Sequence, residues 1–272
     1  MHRAVTRTFL LGAFGCACSR TPAASESSAT VVRPSSTPHV VAAEGEGQVS
    51  KPLVGASSGA PVETAPPNVP EFKPAFSGQT RAPAVKTQSA FRVTELTTDL
   101  DNPWAVAFLP EGRMLVTEKH EGRLSELAPD GKRLAVVGGV PKVDGRDQGG
   151  LLDVALAPDY GSSSLVYLSY YEPRDGGNGL AVARARLVDG AKPRLDDLKV
   201  VFRMEPTLDS TKHAGGRLIF APDGMLFVTL GERSILKGRV QARDLASDLG
   251  KIVRIRPDGT IPEDNPFVHE KG

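Results

Sequence analysis

Residues 217–230 read RLIFAPDGMLFVTL, with one apolar run before and one after a Pro-Asp-Gly turn. Both runs contain the β-branched and aromatic residues that favour strands. Pro222 has no N–H with which to continue a sheet ladder, so it ends the first strand. Asp223 and Gly224 supply the tight turn into the second strand. The stretch therefore predicts an antiparallel β hairpin.

The same plan occurs twice upstream, at residues 104–118 (WAVAFLPEGRMLVTE) and 151–170 (LLDVALAPDYGSSSLVYLSY). Each unit can supply about four short antiparallel strands, because further strand candidates follow at residues 122–127, 181–187 and 251–256. A repeat of this kind is typical of a β-propeller, in which four-stranded sheets are arranged radially. The alternative is a β-sandwich with a coincidental repeat. We predict an all-β fold, a partial β-propeller over residues 91–272.

The number of blades is low for a closed ring. About three blades fit between residues 91 and 272, whereas closed propellers have about four to eight. An open half-ring exposes edge strands and an apolar blade face at its end. We therefore expect the chain to be incomplete, or to need a second chain that completes the propeller.

The first residues are typical of a bacterial export signal. Two arginines precede the short apolar run 9–15, and Cys16 follows small residues, as in lipoprotein signals. We predict a signal peptide over residues 1–18, with Cys16 as the lipidated residue and Cys18 as the alternative. The protein would be exported as a periplasmic or outer-membrane-anchored lipoprotein, or otherwise secreted. The other interpretation is an ordinary secretion signal with incidental cysteines.

Residues 19–90 are dominated by Ser, Thr, Ala, Pro, Glu and Gly, and they show no sustained period of 2 or 3.6. Such a segment cannot bury enough apolar surface to offset its ordering entropy. We predict a disordered tether that precedes the β-propeller.

Composition argues against several function classes. The formal net charge is +1, whereas nucleic-acid-binding domains carry a concentrated basic excess. No apolar run is long enough to span a bilayer. The strand–Gly-x-Gly-x-x-Gly–helix unit of NAD enzymes does not occur in the sequence either.

Five segments, in order, resemble the aldose sugar dehydrogenases that depend on pyrroloquinoline quinone (PQQ), the glucose/sorbosone dehydrogenase family. They are LDNPWAVAFLP (100–110), QGGLLDVALAPDY (148–160), HAGGRLIFAPDG (213–224), DL to GKIVR (244–254) and GTIPEDNPF (259–267). The resemblance covers the N-terminal half of that family and implies a six-bladed propeller with PQQ on the axis and calcium nearby. It also implies that an aldose sugar gives a lactone by hydride transfer to the quinone, with an external electron acceptor.

The resemblance gives two residues a role. His213 matches the family's general base, since a neutral imidazole accepts the sugar hydroxyl proton as hydride leaves. Gln148 matches the glutamine at the mouth for cofactor and substrate, where its amide both donates and accepts. Without the resemblance, His213 reads as a turn residue and Gln148 as a surface residue. Loops at one axial end of a propeller converge, so we expect both side chains to face one ligand.

Three other polar residues have less specific interpretations. Asp153 is expected to stabilise a turn or strand edge. Glu232 either lines the mouth or is solvated. Arg217 is expected to form a structural ion pair and is not assigned to catalysis.

The chain departs from the family in two places and lacks other motifs. Lys212 stands where relatives commonly have Asn or Asp, and Arg243 stands where they often have Gln. The downstream Arg-Asn-Pro-Gln-Gly and Asn-Tyr-Gly-Trp-Pro motifs, which in relatives carry much of the PQQ contact and calcium ligation, do not occur. We therefore assign no metal ligand in this chain. The alternatives are a non-catalytic propeller fragment, as a binding module or inactive remnant, and, less favoured, a calcium-dependent lactone hydrolase.

Overall fold

The computed structural model describes residues 60–85, 90 and 92–270. This part of the chain divides between residues 85 and 90 into two compact units. The predicted signal peptide with Cys16 and Cys18 lies outside the described residues, as do residues 19–59 of the tether. No helix in the described part is both long and apolar enough to cross a membrane.

Residues 60–85 form a loop that closes on itself. The backbone N–H of Val62 donates to the Ala82 carbonyl at 2.9 Å, and that of Ala84 donates to the Ala60 carbonyl at 3.0 Å. Every residue of the loop is exposed. Disorder of the tether stays a prediction.

Blade 1 is a four-stranded antiparallel sheet whose strands pair in chain order. Its strands are β1 (Pro103–Phe108), β2 (Met114–Glu118), β3 (Arg123–Leu127) and β4 (Arg133–Val137). A 3₁₀ turn at Pro110–Gly112 joins β1 to β2, where the sequence predicts the Pro-Glu-Gly turn.

Blade 2 is a second sheet of four antiparallel strands in chain order. Its strands are β5 (Leu151–Leu156), β6 (Leu165–Arg174), β7 (Gly177–Val188) and β8 (Arg194–Arg203). A short helix, α1 (Tyr160–Ser163), connects β5 and β6 after Pro158.

Blade 3 has three strands in the described part of the chain, fewer than the four that the repeat predicts. They are β9 (Gly215–Phe220), β10 (Leu226–Leu230) and β11 (Ile252–Ile255), with α2 (Leu236–Arg239) and a 3₁₀ helix (Val240–Arg243) between β10 and β11. The three predicted units therefore fold as three blades, and the fold is a partial β-propeller.

Blade 2 lies between the other two blades, because its inner strand β5 packs against both β1 and β9. Successive side chains of a strand point to opposite faces. Leu168 and Tyr170 accordingly join the apolar cluster with blade 1, whereas Tyr167 and Tyr171 join the cluster with blade 3. All four are buried, and each such burial stabilises the fold by about 1.5–3 kcal/mol.

A hydroxyl group on the second strand of each blade holds the inner strand in place. It accepts an inner-strand N–H in the pairs Ala105–Thr117, Asp153–Ser169 and Arg217–Thr229. In blades 1 and 2 the same hydroxyl donates to the inner strand of the next blade: Thr117 to the Leu152 carbonyl at 2.6 Å, and Ser169 to the Gly216 carbonyl at 2.5 Å. The repeated bond sets the spacing between neighbouring inner strands.

The two outer faces of the stack expose apolar side chains, as expected for an open half-ring. Val106 and Phe108 of blade 1 are 48% and 67% exposed. Ile219 and Ile252 of blade 3 are 55% and 69% exposed. A groove of about 690 Å³ runs along blade 3 beside Phe267. Neither Gln148 nor His213, the two predicted site residues, lines this groove.

Candidate active site

The loops before β5 and β9 bring the two predicted site residues together. Gln148 lies just before β5, and His213 lies just before β9. The Gln148 Oε1 accepts the backbone N–H of His213 at 2.9 Å. Both residues are exposed at the same end of the inner strands. Their chemical roles stay predictions, but the geometry allows one ligand to meet both.

The His213 ring contacts a carboxylate. Its Nδ1 lies 2.8 Å from Oε2 and 3.0 Å from Oε1 of Glu232. Because an ionised carboxylate only accepts hydrogen bonds, the contact assigns the proton to Nδ1 and leaves the Nε2 lone pair free. Burial opposes the charge of Glu232, but the hydrogen bond from His213 and backbone N–H donors hold the pKa of Glu232 below its usual value. An imidazole oriented in this way can accept a proton at Nε2.

Glu232 reaches His213 because β9 and β10 form a hairpin. Leu230, at the end of β10, lies opposite Gly215, at the start of β9. Glu232, two positions after β10, therefore lies beside His213, two positions before β9. Sequence analysis left Glu232 as lining the mouth or solvated and missed this contact. The predicted antiparallel pairing at Pro222 was the signal that could have revealed it.

Arg233 is the largest fully buried side chain among the described residues. Its Nε donates to the Lys212 carbonyl at 3.2 Å, and its other N–H groups donate to the Ser210 carbonyl and to both oxygens of Asn178. Its guanidinium also lies 4.9 Å from the centre of the Tyr171 ring. Arg233 thus clamps the segment that carries His213. Sequence analysis missed this role, because nothing in the pattern marks an arginine as buried.

Four non-glycine residues around the site have positive φ, a conformation that costs about 1–3 kcal/mol. They are Asp147 (50°), His213 (45°), Arg233 (69°) and Ser234 (55°). Such conformations persist only where surrounding contacts hold them, and they concentrate at functional sites. The hydrogen bonds of Gln148 and Arg233 provide that support here.

Lys212, which stands where relatives commonly have Asn or Asp, pairs with a neighbouring carboxylate. Lys212 Nζ lies 3.2 Å from Asp147 Oδ2, and Lys119 Nζ donates to the Asp147 carbonyl at 3.0 Å. Hydrogen bonds from Lys212 and Thr211 hold the pKa of the Asp147 carboxyl below its usual value. The charge of Lys212 is therefore partly compensated before any ligand enters.

Asp153 and Arg217 form the ion pair that the sequence predicts for Arg217. Arg217 Nη1 lies 2.9 Å from Asp153 Oδ1. Asp153 is buried, and this burial raises its pKa against the opposing effect of the Leu218 N–H and of Arg217. Across residues 60–85, 90 and 92–270, no group of three His, Cys, Asp or Glu side chains could hold a metal ion.

A family model described as Glucose / Sorbosone dehydrogenase matches residues 100–272. Aldose sugar dehydrogenase YliI of Escherichia coli K12 is 43% identical over 174 residues, which cover 64% of this chain and 46% of that protein.

Two of the similar solved structures show the extent of the likeness. A crystal structure of glucose dehydrogenase has a TM-score of 0.62 and 42% identity, and the match covers 66% of this chain and 51% of that chain. The PQQ-bound form of aldose sugar dehydrogenase from Streptomyces coelicolor has a TM-score of 0.55 and 33% identity, covering 65% and 51%. The chain spans about half the length of the relatives it matches.

Proposed function

The chain belongs to the glucose/sorbosone dehydrogenase family, and from this membership we propose that it oxidises aldose sugars to lactones with PQQ as hydride acceptor. One observation carries the proposal: His213 precedes the inner strand of blade 3 with Nδ1 bonded to Glu232 and Nε2 free. A general base needs a nitrogen with a free lone pair, and this arrangement provides one at Nε2.

The chemistry assigned to this chain is a proton transfer. Nε2 of His213 accepts the proton of the sugar's anomeric hydroxyl while the C–H bond releases hydride, and a C=O bond forms to give the lactone. PQQ, when bound, supplies the two-electron acceptor for that hydride. Glu232 keeps Nδ1 protonated and stabilises the positive charge that His213 acquires. Gln148 holds the His213 backbone through the 2.9 Å hydrogen bond.

The side chains around His213 are of the chemical types that bind PQQ. PQQ carries three carboxylates and two quinone oxygens, so cations and N–H donors bind it. Three cations lie near His213: Lys119, Lys212 and Arg239 at the end of α2. Lys212 and Arg239 are already partly paired with Asp147 and Glu232, whereas Lys119 donates to the Asp147 backbone carbonyl. Gln148 adds an uncharged amide. These residues would hold the cofactor against the site.

Calcium enters the proposal through the family resemblance alone. Calcium takes about 6–8 oxygen ligands, and the described residues form no acidic group that fits it. No step of the reaction is assigned to calcium. We propose in addition that electrons leave PQQ for an external acceptor.

Export and anchoring are proposed from the N-terminal sequence. The short apolar run 9–15 followed by Cys16 supports a lipoprotein signal. Labelled palmitate should enter the wild type and Cys18→Ser but not Cys16→Ser. Label that persists in Cys16→Ser and disappears in Cys18→Ser would move the site to Cys18.

A second chain that completes the ring is proposed for the two outer blade faces. The exposure of Phe108 on blade 1 and of Ile252 on blade 3 supports it, because large apolar patches rarely stay uncovered. Sedimentation at increasing protein concentration tests it. A chain that stays monomeric and folded would contradict it.

The function is tested by dye reduction. The full chain is incubated with PQQ and CaCl₂, and reduction of an artificial dye is followed on adding glucose. We expect turnover that needs both PQQ and sugar and that falls about 100-fold or more in His213→Ala. His269→Ala, on an exposed turn, is the matched control. PQQ binding without sugar-dependent reduction, or an unaffected His213→Ala, would contradict the proposal and favour the non-catalytic fragment.

A further inference from the structure

Three side chains from three different blades meet where the inner strands converge. Trp104 comes from β1, Asp153 from β5 and Arg217 from β9. The Arg217 Cζ lies 4.6 Å from the centre of the Trp104 ring, and its Nη1 lies 2.9 Å from Asp153 Oδ1. We call this group the axial cluster.

Asp153 orients the guanidinium of Arg217. Its carboxylate is buried and is held by two backbone donors, Val154 N–H at 3.0 Å and Leu218 N–H at 2.7 Å. These bonds leave the carboxylate no freedom to turn. The bond to Arg217 therefore has a fixed direction.

Trp104 supplies the second constraint. A guanidinium that stacks on an indole ring keeps its plane against the ring while its edge stays free to donate hydrogen bonds. The Arg217 side chain is 51% exposed. Its Nε and Nη2 contact no acceptor among residues 92–270, so the three N–H groups on these two nitrogens are free to bind a ligand.

Arg217, which carries the free N–H groups, lies near the start of β9, the strand that His213 precedes. Arg217 follows His213 by four positions, and β9 begins between them at Gly215. An extended chain rises about 3.3 Å per residue, so a ligand of ordinary cofactor size at His213 is within reach of the long Arg217 side chain. A planar fork of N–H groups matches a carboxylate in particular.

We propose that Arg217, stacked on Trp104 and oriented by Asp153, binds a carboxylate of the ligand that occupies the His213 site. The inference rests on the proposed dehydrogenase function and adds a recognition residue to it. Two sources can supply the carboxylate: the PQQ tricarboxylate, or a sugar that carries an acid group.

Trp104 reports on this site directly, because it is the single tryptophan of the chain. Its fluorescence lifetime, which is insensitive to absorption by the ligand, is followed while the full chain is titrated. The probes are PQQ, PQQ trimethyl ester, sodium glucuronate and glucose. The ester keeps the quinone ring but lacks the carboxylates, and glucose lacks the acid group of glucuronate.

The variants are Arg217→Lys and Arg217→Met, and the matched control is Arg186→Lys. Arg186 is 50% exposed and pairs with Asp197 at 2.6 Å, so it resembles Arg217 in exposure and in having one acidic partner. Thermal unfolding of each variant checks that the fold is kept.

If PQQ is the source, the trimethyl ester binds more weakly than PQQ, and Arg217→Lys weakens PQQ binding about 10- to 100-fold. If an acidic sugar is the source, glucuronate changes the Trp104 lifetime in the wild type but not in Arg217→Lys, and glucose changes it in neither. In both cases Arg186→Lys behaves as the wild type.

Equal affinities of the folded Arg217 variants and the wild type for PQQ and for glucuronate would overturn the proposal. That result is separate from failure of the dehydrogenase function, which is decided by turnover in His213→Ala. A chain that binds PQQ through Arg217 but turns over no sugar would keep this inference while removing the other.

Discussion

His213 Nδ1 and Glu232 Oε2 lie 2.8 Å apart, although 18 residues separate them in the chain. The pair exists because the β9–β10 hairpin places the residue two positions before β9 beside the residue two positions after β10. Glu232 is a positioning residue in this arrangement, since it acts on the reacting group through the imidazole. A bond of this kind sets both the tautomer and the ring orientation.

Glu232→Gln should lower kcat with little change in KM. The amide keeps the size of the side chain, but it can also present N–H to Nδ1, which favours the wrong tautomer, and it removes the charge that stabilises the protonated ring. We expect kcat to fall about tenfold to a thousandfold, measured as sugar-dependent dye reduction. Glu263→Gln, on an exposed loop, is the control. An unchanged kcat would show that Glu232 does not act through His213.

Gln148→Leu should destabilise the chain slightly, whereas Gln148→Glu should not. The leucine removes the acceptor of the His213 N–H, and the glutamate keeps an acceptor oxygen. Because the site is exposed, we expect the loss in unfolding free energy to be about 0.5–1.5 kcal/mol. Urea unfolding of the three proteins measures it. Equal loss in both variants would point to packing of the amide rather than to its hydrogen bond.

Arg233→Met should be strongly destabilising. It leaves the Ser210 carbonyl and Asn178 Oδ1 without the donor that Arg233 supplies. The Lys212 and Asn178 carbonyls lose one of two donors, because Tyr171 Oη–H and the Leu208 N–H remain. We expect the unfolding free energy to fall by about 1–3 kcal/mol for each acceptor left unsatisfied, and Arg233→Lys to recover part of it. Arg186→Met, which removes an exposed guanidinium, should change stability by less than about 1 kcal/mol. Similar losses in Arg186→Met and Arg233→Met would contradict the clamp.

The sequence predicted the blades because hairpins are local. The turns at Pro110, Pro158 and Pro222 are specified by their own residues, since proline ends the first strand of each pair. Each turn joins strands that are neighbours in the chain. Blade 3 has three strands within residues 92–270, where the repeat predicts about four, and α2 and a 3₁₀ helix lie between β10 and β11. There Leu236 and Val240, which read as apolar, lie exposed.

The site was predicted only in part, because its contacts cross between blades. His213 and Gln148 were found through motifs, but motifs contain no information on which side chains touch. The Arg217–Trp104 stacking joins strands more than a hundred residues apart in sequence. Burial of Arg233 depends on Tyr171 and Asn178 from blade 2. The local sequence around position 233 therefore does not predict it.

The hydroxyl bridges between blades predict a graded series of losses. Thr117→Val removes both a buried acceptor and the donor to Leu152, and Ser169→Ala does the same toward Gly216. Each should cost about 1–3 kcal/mol of unfolding free energy. Thr229→Val should cost less, because its hydroxyl only accepts, from Arg217, within residues 92–270. Urea unfolding tests the order, and an equal loss at Thr229 would contradict the role of the inter-blade bond.

Acid should loosen the loop that carries Gln148 through one carboxylate, Asp144. Hydrogen bonds from Arg146, and from Asn178 Nδ2 at 2.8 Å, converge on it, and the Arg146 bond in particular lowers the pKa of Asp144 from 3.8 to about 2. A pKa that is lower in the folded state means that the ionised carboxylate stabilises the fold. This contribution is complete above about pH 4 and is lost as the pH falls toward 2.

The advantage of the wild type over Asp144→Asn in unfolding free energy should therefore shrink between about pH 4 and pH 2. Asp175→Asn, on an exposed turn, is the control, and it should differ little from the wild type across the range. Urea unfolding at a series of pH values measures all three proteins. A wild-type advantage that stays constant down to pH 2 would show that protonation of Asp144 is not linked to folding, and that the loop is held by its backbone bonds instead.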